Sequence, residues 1–174
     1  LRVPLGPAPH RIEVAAAVGA SSDFGAVTTP TISLAAAARL DWRDQTLAVG
    51  LESGWSLVHG RLAAVDGADT LHNLVPLRIA LGWRRLLAPR WTLAANLAAG
   101  GAVVAATSSY PGQPTIRESA LVPSAAAAVS IGRRFGRAVP FIELRAEWLH
   151  ATLRLLEGDL VTAALLVGCR LELL

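Results

Sequence analysis

Hydrophobic and polar side chains alternate with a period of two along most of the chain. From Thr31 to Arg43 the even positions are Ile32, Leu34, Ala36, Ala38, Leu40 and Trp42, and Thr31, Ser33, Arg39, Asp41 and Arg43 fall on the odd ones. From Pro140 to Trp148 an apolar row of Ile142, Leu144, Ala146 and Trp148 alternates with Phe141, Glu143, Arg145 and Glu147. On a helix those three charges would fan over about 200°, because each residue turns the chain by about 100°; on a strand they share one face. The same alternation runs through Arg11–Ser21, Thr46–Val58, Val75–Arg84 and Val161–Leu173, and more weakly through the Ala-rich stretches Trp91–Ala105 and Leu121–Gly132. These segments predict an all-β chain of eight strands.

The charges sharpen that picture. Arg11, Glu13, Arg39, Asp41, Arg43, Glu52, Arg78, Arg84, Glu143, Arg145, Glu147, Arg170 and Glu172 all lie on one face of their strands, and the opposing face of the same segments carries no charge. Between the charges that face is built of Ala, Gly, Ser and Thr, such as Ala15, Ala17, Gly50, Gly82, Ala126 and Gly168. A solvated face would carry more long polar side chains; small residues fit the cramped interior of a narrow barrel. The apolar face carries Leu, Ile, Val and Trp, as contact with lipid requires. The alternation therefore predicts an eight-stranded antiparallel up-and-down transmembrane β-barrel with its polar face inward.

Connection lengths orient it. The links after the second, fourth and sixth strands, Asp44-Gln45, Arg85–Arg90 and Arg133–Ala138, are tight, whereas Ser22–Pro30, His59–Thr70, Thr107–Ala120 and Thr152–Asp159 are longer. Short periplasmic turns alternating with longer outer loops would place both termini on the periplasmic side. Trp42, Trp83 and Trp91 then fall at the periplasmic rim and Trp55 and Trp148 toward the outer one, an interfacial belt at both levels.

This pattern resembles the small eight-stranded outer-membrane β-barrels, the OmpA-transmembrane-domain and OmpX-like group, over about residues 10–174. The resemblance implies a structural or anchoring protein of the bacterial outer membrane, monomeric, with outer-membrane lipid including lipopolysaccharide as its surroundings. The chain ends Leu171, Glu172, Leu173, Leu174, without the terminal aromatic usual in that group. Residues 1–9, with Pro4, Pro7 and Pro9, read as an extended leader or linker, a link to a periplasmic domain in a larger parent. With no Met in the sequence, a mature form or a fragment is expected.

Composition agrees with a lipid-facing exterior: 174 residues, 53% hydrophobic, 17% charged, mean hydropathy +0.46. One Cys excludes a disulfide scaffold. The longest apolar run, Trp91–Ala106, is short for a spanning helix and interrupted by Thr92, Asn96, Gly100 and Gly101. All 16 basic residues are Arg and the pI is 10.4, yet they form no patch of the kind that tracks nucleic acid. Instead the outer loops, with Asp23, Asp66, Asp69, Glu118, Glu157 and Asp159 against Arg61, Arg117 and Arg154, are net acidic. The turns, with Arg85, Arg90, Arg133, Arg134 and Arg137 against Asp44, are net basic and suited to an acidic periplasmic polymer.

The candidate site is the interior charge network of Arg11, Glu13, Arg39, Asp41, Arg43, Glu52, Arg78, Glu143, Arg145, Glu147, Arg170 and Glu172. Arg11, Glu13, Arg170 and Glu172 are expected as neighbours where the first and last strands close the ring. Above them the inward side chains shrink to Ala, Gly, Ser and Thr, with His72 near the outer mouth, a taper expected to be loosely filled by loops and neighbouring side chains, with a small pocket open to the outside as the alternative. Three alternatives to an anchor remain: a small gated channel or pocket-binding barrel; a soluble lipocalin-like carrier with the faces reversed; and a lipid A-modifying enzyme, similar to the deacylases and palmitoyltransferases in strand count alone. For the last, His150 with Glu157, or His59 with Ser56 and Asp66, are the candidate groups. No catalytic residues, metal or cofactor are expected.

Overall fold

In a computed structural model of the chain, eight antiparallel strands close into a barrel in sequence order. They are β1 (Arg11–Ser22), β2 (Thr29–Trp42), β3 (Gln45–Arg61), β4 (Asp69–Ala88), β5 (Trp91–Ser109), β6 (Ile116–Arg133), β7 (Ala138–Leu153) and β8 (Leu156–Glu172). The structure describes residues 11–22, 29–42, 44–61, 69–109, 114–153 and 156–173. The leader at 1–9, Asp23, Arg43, Asp66 and Arg154 lie outside these residues, as do the side chains of His59, Arg61, Asp69 and Glu157.

Closure is made by β1 and β8, paired from Glu13↔Glu172 to Ser22↔Ala163. With no edge strand across the membrane, each ladder finds its partners within the sheet, the condition lipid imposes on a spanning sheet. One ladder is interrupted where chemistry demands it. Between β3 and β4 the pairing skips from Ser53↔Leu77 to Ser56↔Leu74. Pro76 has no N–H to offer there, and the Ser53 hydroxyl instead donates to the Pro76 carbonyl at 2.9 Å.

Alternation partitions the side chains as the pleat requires. Ile32, Leu34, Leu51, Ile79, Leu97, Leu144 and Val167 stand exposed on the outer surface, while Glu13, Arg39, Glu52, Arg78, Glu143, Arg145 and Arg170 are buried. Trp42, Trp55, Trp83, Trp91 and Trp148 all occupy outward positions. Trp83 pairs with Leu47, eight residues along β3 from Trp55. At about 3.4 Å per residue and a tilt of about 40°, the two aromatic levels stand about 20 Å apart, close to the height of a barrel's apolar band.

The strands are longer than the alternation alone predicts. β4 to β6 run 20, 19 and 18 residues, against about 10 needed to cross a bilayer. The expected loops shrink accordingly. β3 and β4 stay paired to Arg61↔Asp69, β5 and β6 to Ser108↔Ile116, and β7 and β8 to Leu153↔Leu156. The last of these corrects the expected Thr152–Asp159 loop: Thr152, Leu153 and Leu156–Asp159 are paired strand. Outside the apolar band the outward face turns polar, as at His150 and Thr152, while the inward face stays buried at Leu149, Ala151 and Leu153, so the polarity of the alternation reverses. β6 and β7 part earlier, after Ser124↔Leu149, next to Pro123.

Candidate functional site: a braced and plugged lumen

Inward-facing charges gather in two layers. In the mid-barrel layer β3, β4 and β7 contribute Glu52, Arg78, Glu143, Arg145 and Glu147. Glu52 Oε1 accepts from Arg78 Nη1 at 3.2 Å and from Arg145 Nη1 at 3.1 Å. Glu147 Oε1 lies 3.1 Å from Arg78 Nη1 and 3.6 Å from Arg145 Nη1. Arg78 and Arg145 thus share both carboxylates, making a closed ring of alternating charge that ties β3 and β4 to β7 across the lumen. Arg78 Nε donates to Ser124 Oγ at 3.1 Å and Arg145 Nε to Glu143 Oε1 at 2.9 Å, so both guanidinium groups are multiply satisfied.

The second layer lies toward the short turns. Arg84 Nη2 donates to both oxygens of Glu13, at 2.9 and 2.8 Å. Glu172 gathers Arg39 at 2.7 Å, Arg84 at 3.6 Å, and Arg134. Arg39 makes a forked contact with Asp41, whose Oδ1 also accepts from Thr46 Oγ1 at 2.7 Å. Arg170 lies 3.7 Å from Glu13 and over the Phe141 ring at 5.0 Å. Forked guanidinium–carboxylate pairs of this kind are the strong form of the ion pair and suit a space with little room for water.

Of the residues expected near the closing seam, Glu13 and Arg170 are in contact, whereas Glu172 turns to Arg39, Arg84 and Arg134, and Arg11 pairs with Asp41 at 3.4 Å. Four participants lie outside the twelve candidates. Arg84 carried the signal, an inward charge in phase. Ser124 and Thr46 are small polar residues on the inward face with nothing to distinguish them from their neighbours. Arg134 sits in the Arg134–Arg137 turn, where Gly136 adopts φ of 61°; alternation says nothing of a turn residue.

Between the layers a cavity of about 60 Å³ is lined by Ala17, Ala35, Ala37, Gly50, Ala80, Gly82 and Asn96 and bounded by Glu13, Glu52, Glu143, Arg145 and Arg170. It has room for a few water molecules. The short-turn mouth opens into a polar vestibule of about 250 Å³ beside Arg11, Arg39, Arg84, Arg134, Asp41 and Glu172.

The outer half of the lumen is filled rather than open, and by larger apolar side chains than the expected taper of Ala, Gly, Ser and Thr. Leu74, Ala102, Val104, Ala106, Val122, Leu149, Ala151 and Leu153 form a buried apolar cluster there, with His72 also buried. Ala102, Val104 and Val122 lie on the inward face of the predicted strands, and Leu74, Ala106, Leu149, Ala151 and Leu153 on their extensions. The lumen is therefore charged and braced below and apolar and plugged above.

On the outer surface, His150 Nδ1 lies 2.9 Å from Asp159 Oδ1, and the same oxygen accepts from Trp148 Nε1 at 3.1 Å. Trp55 donates to Asn73 at 3.2 Å and Trp83 to Gln45 at 3.0 Å. An indole with its N–H on a polar partner and its ring outward is the arrangement favoured at a membrane–water boundary.

No family model matches the chain, and no curated protein matches it in sequence. Solved structures share its fold. The crystal structure of Neisserial surface protein A superposes with a TM-score of 0.52 at 13% identity, covering 95% of this chain and 98% of that one. Ail, the attachment invasion locus protein of Yersinia pestis, in complex with the heparin analogue sucrose octasulfate, gives 0.53 at 14% identity over 94% and 97%. The N-terminal β-barrel domain of Pseudomonas aeruginosa OprF gives 0.52 at 15% identity over 92% and 98%. The architecture is that of the small eight-stranded outer-membrane β-barrels.

Proposed function

We propose that this chain is a monomeric outer-membrane β-barrel that serves as a structural or anchoring element rather than as a static pore. The observation that carries this reading is the pairing of an apolar exterior with a lumen obstructed twice, by the Arg78–Glu52–Arg145–Glu147 ring and by the apolar cluster around Val104. Its surroundings are outer-membrane lipid, lipopolysaccharide included, with the short turns toward the periplasm and whatever domain or polymer lies there. An ion crossing the lumen would have to displace forked ion pairs and then enter a dry apolar segment. Planar-bilayer recording tests this: the reading predicts no steady conductance, and a steady current abolished by Arg145→Ala would replace it with a channel. A chain that stays monomeric and folded without detergent would replace it with the soluble carrier.

A second reading, a lipid-modifying hydrolase at the outer rim, has the His150–Asp159 contact in its favour. Such chemistry needs a nucleophile held against the imidazole, and among the described residues no Ser, Thr or Cys hydrogen-bonds His150. Hydrolysis of an acylated glycolipid that disappears in His150→Ala would establish it.

A further inference from the structure

We propose that the short-turn end of the barrel carries a seat for the anionic headgroups of phospholipids, built from Arg90, Arg133 and Arg137 beside Trp91 and Phe135. The inference rests on the membrane-barrel reading above and adds a lipid class and a location to it.

At the short-turn end, charge pairing singles out these three residues. Arg39, Arg78, Arg84, Arg145 and Arg170 in the lumen, and Arg11, Arg85 and Arg134 at its mouth, each have a carboxylate within 4.0 Å. For Arg90, Arg133 and Arg137 no such partner is found among the described residues. The acids on this rim are engaged elsewhere, Asp44 by Arg85 at 3.3 Å and Glu172 by Arg39, Arg84 and Arg134.

The three arginines are also neighbours. The turn carrying Arg90 and the turn running from Arg134 to Arg137 are joined by a hydrogen bond from Arg134 N to Arg90 O at 2.7 Å. Arg133 sits opposite Trp91 in the β5–β6 ladder. Its guanidinium lies over the Trp91 ring at 5.8 Å and the Phe135 ring at 5.2 Å. Stacking uses the face of the guanidinium and leaves its in-plane N–H groups for a planar or tetrahedral oxyanion. Both rings are exposed on the outer surface, so they sit where indole and phenyl groups mark the headgroup level. The Arg133 guanidinium is therefore held at the lipid boundary beside these rings, with Arg90 and Arg137 on the two adjoining turns. Its complement is a phosphate diester bearing net negative charge on a lipid, in preference to a soluble acidic polymer.

The experiment uses the full chain in neutral detergent micelles, with native mass spectrometry comparing retention of phosphatidylglycerol and chain-matched phosphatidylcholine. Wild type is expected to retain the anionic lipid preferentially. At roughly fivefold per arginine near an anionic lipid, the triple variant Arg90→Gln, Arg133→Gln, Arg137→Gln should lose that preference by about a hundredfold. Equal retention of the two lipids by wild type, or an undiminished preference in the triple variant, would overturn the proposal. So would displacement of the anionic lipid by soluble polyglutamate at matched charge, which would assign the arginines to a polymer. Should the variant not fold, salt decides on wild type alone: screening must erode the preference as the Debye length falls from about 10 Å to about 3 Å, and a preference that persists refutes it. Failure of the barrel reading itself would show differently, as a folded chain that needs no detergent.

Discussion

Arg145 reaches from β7 into the middle of the lumen, where Glu52, Glu143 and Glu147 surround it. Truncating it strands buried carboxylates, and breaking such a network by removing one partner costs about 3 to 5 kcal/mol. Arg145→Ala should therefore lower the unfolding free energy by about that amount in urea titrations of the vesicle-inserted barrel, whereas Glu147→Gln, which keeps a hydrogen-bonding group at the more exposed end of the ring, should cost less. Glycines in the lumen give a second contrast. A methyl group at Gly168 would stand 2.5 Å from the Ala16 carbonyl oxygen, 2.6 Å from Phe141 Cζ and 2.7 Å from Ala17 Cβ. At Gly82 the one contact below 3.0 Å is the Asn96 side-chain oxygen, at 2.7 Å, which can swing away. Gly168→Ala should destabilise by about 1 to 3 kcal/mol and Gly82→Ala by less than about 0.5 kcal/mol, measured by the same titration. At this scale the sequence showed which residues face inward, because a charge on a period-two strand declares its face. It did not show who pairs with whom. Glu172 meeting Arg39 and Arg84 instead of Arg11 depends on stagger around the ring, which no single strand encodes.

At the scale of the strand, the apolar face is the determinant of insertion. Leu144 lies between the two aromatic levels and is 64% exposed, and Leu87 is exposed at the short-turn rim. Leu144→Arg should cost about 2 to 4 kcal/mol of folding free energy in vesicles and Leu87→Arg about 0 to 1 kcal/mol, following the depth dependence of a charge on a lipid-facing strand. Equal costs would mean the two positions share one environment. The strands crossing the apolar band were legible for the reason this prediction works: lipid outside and a charged lumen inside force opposite polarity on successive residues. β5 and β6 were fainter because Ala serves on both faces, as at Ala125, Ala126, Ala127 and Ala128. Beyond the band that pressure ends. Toward the outer ends apolar side chains turn inward, at Leu74, Ala106, Leu149, Ala151 and Leu153 on the extensions and at Ala102, Val104 and Val122 within the predicted strands, so a face read by its charges alone did not declare the plug.

For the molecule as a whole, the distribution is that of a soluble β-barrel turned inside out, with ion pairs where a soluble barrel packs Leu and Leu where it meets water. The plug and the braces make separate contributions to closure. Enlarging the outer half alone, by Leu74→Ala with Leu149→Ala, should leave the barrel non-conducting in planar bilayers because the Arg78–Glu52–Arg145–Glu147 ring still crosses the path.

The most direct measurement is a spin-label scan along β7, residues 140–148, each changed singly to Cys in a Cys169→Ser background and reconstituted in phospholipid vesicles. Labels at Ile142, Leu144 and Ala146 should collide with oxygen dissolved in the bilayer and be shielded from a water-soluble nickel chelate, with the accessibility alternating every second residue. Access of the chelate to those three positions, with shielding at their neighbours, would place water outside the barrel and contradict the account.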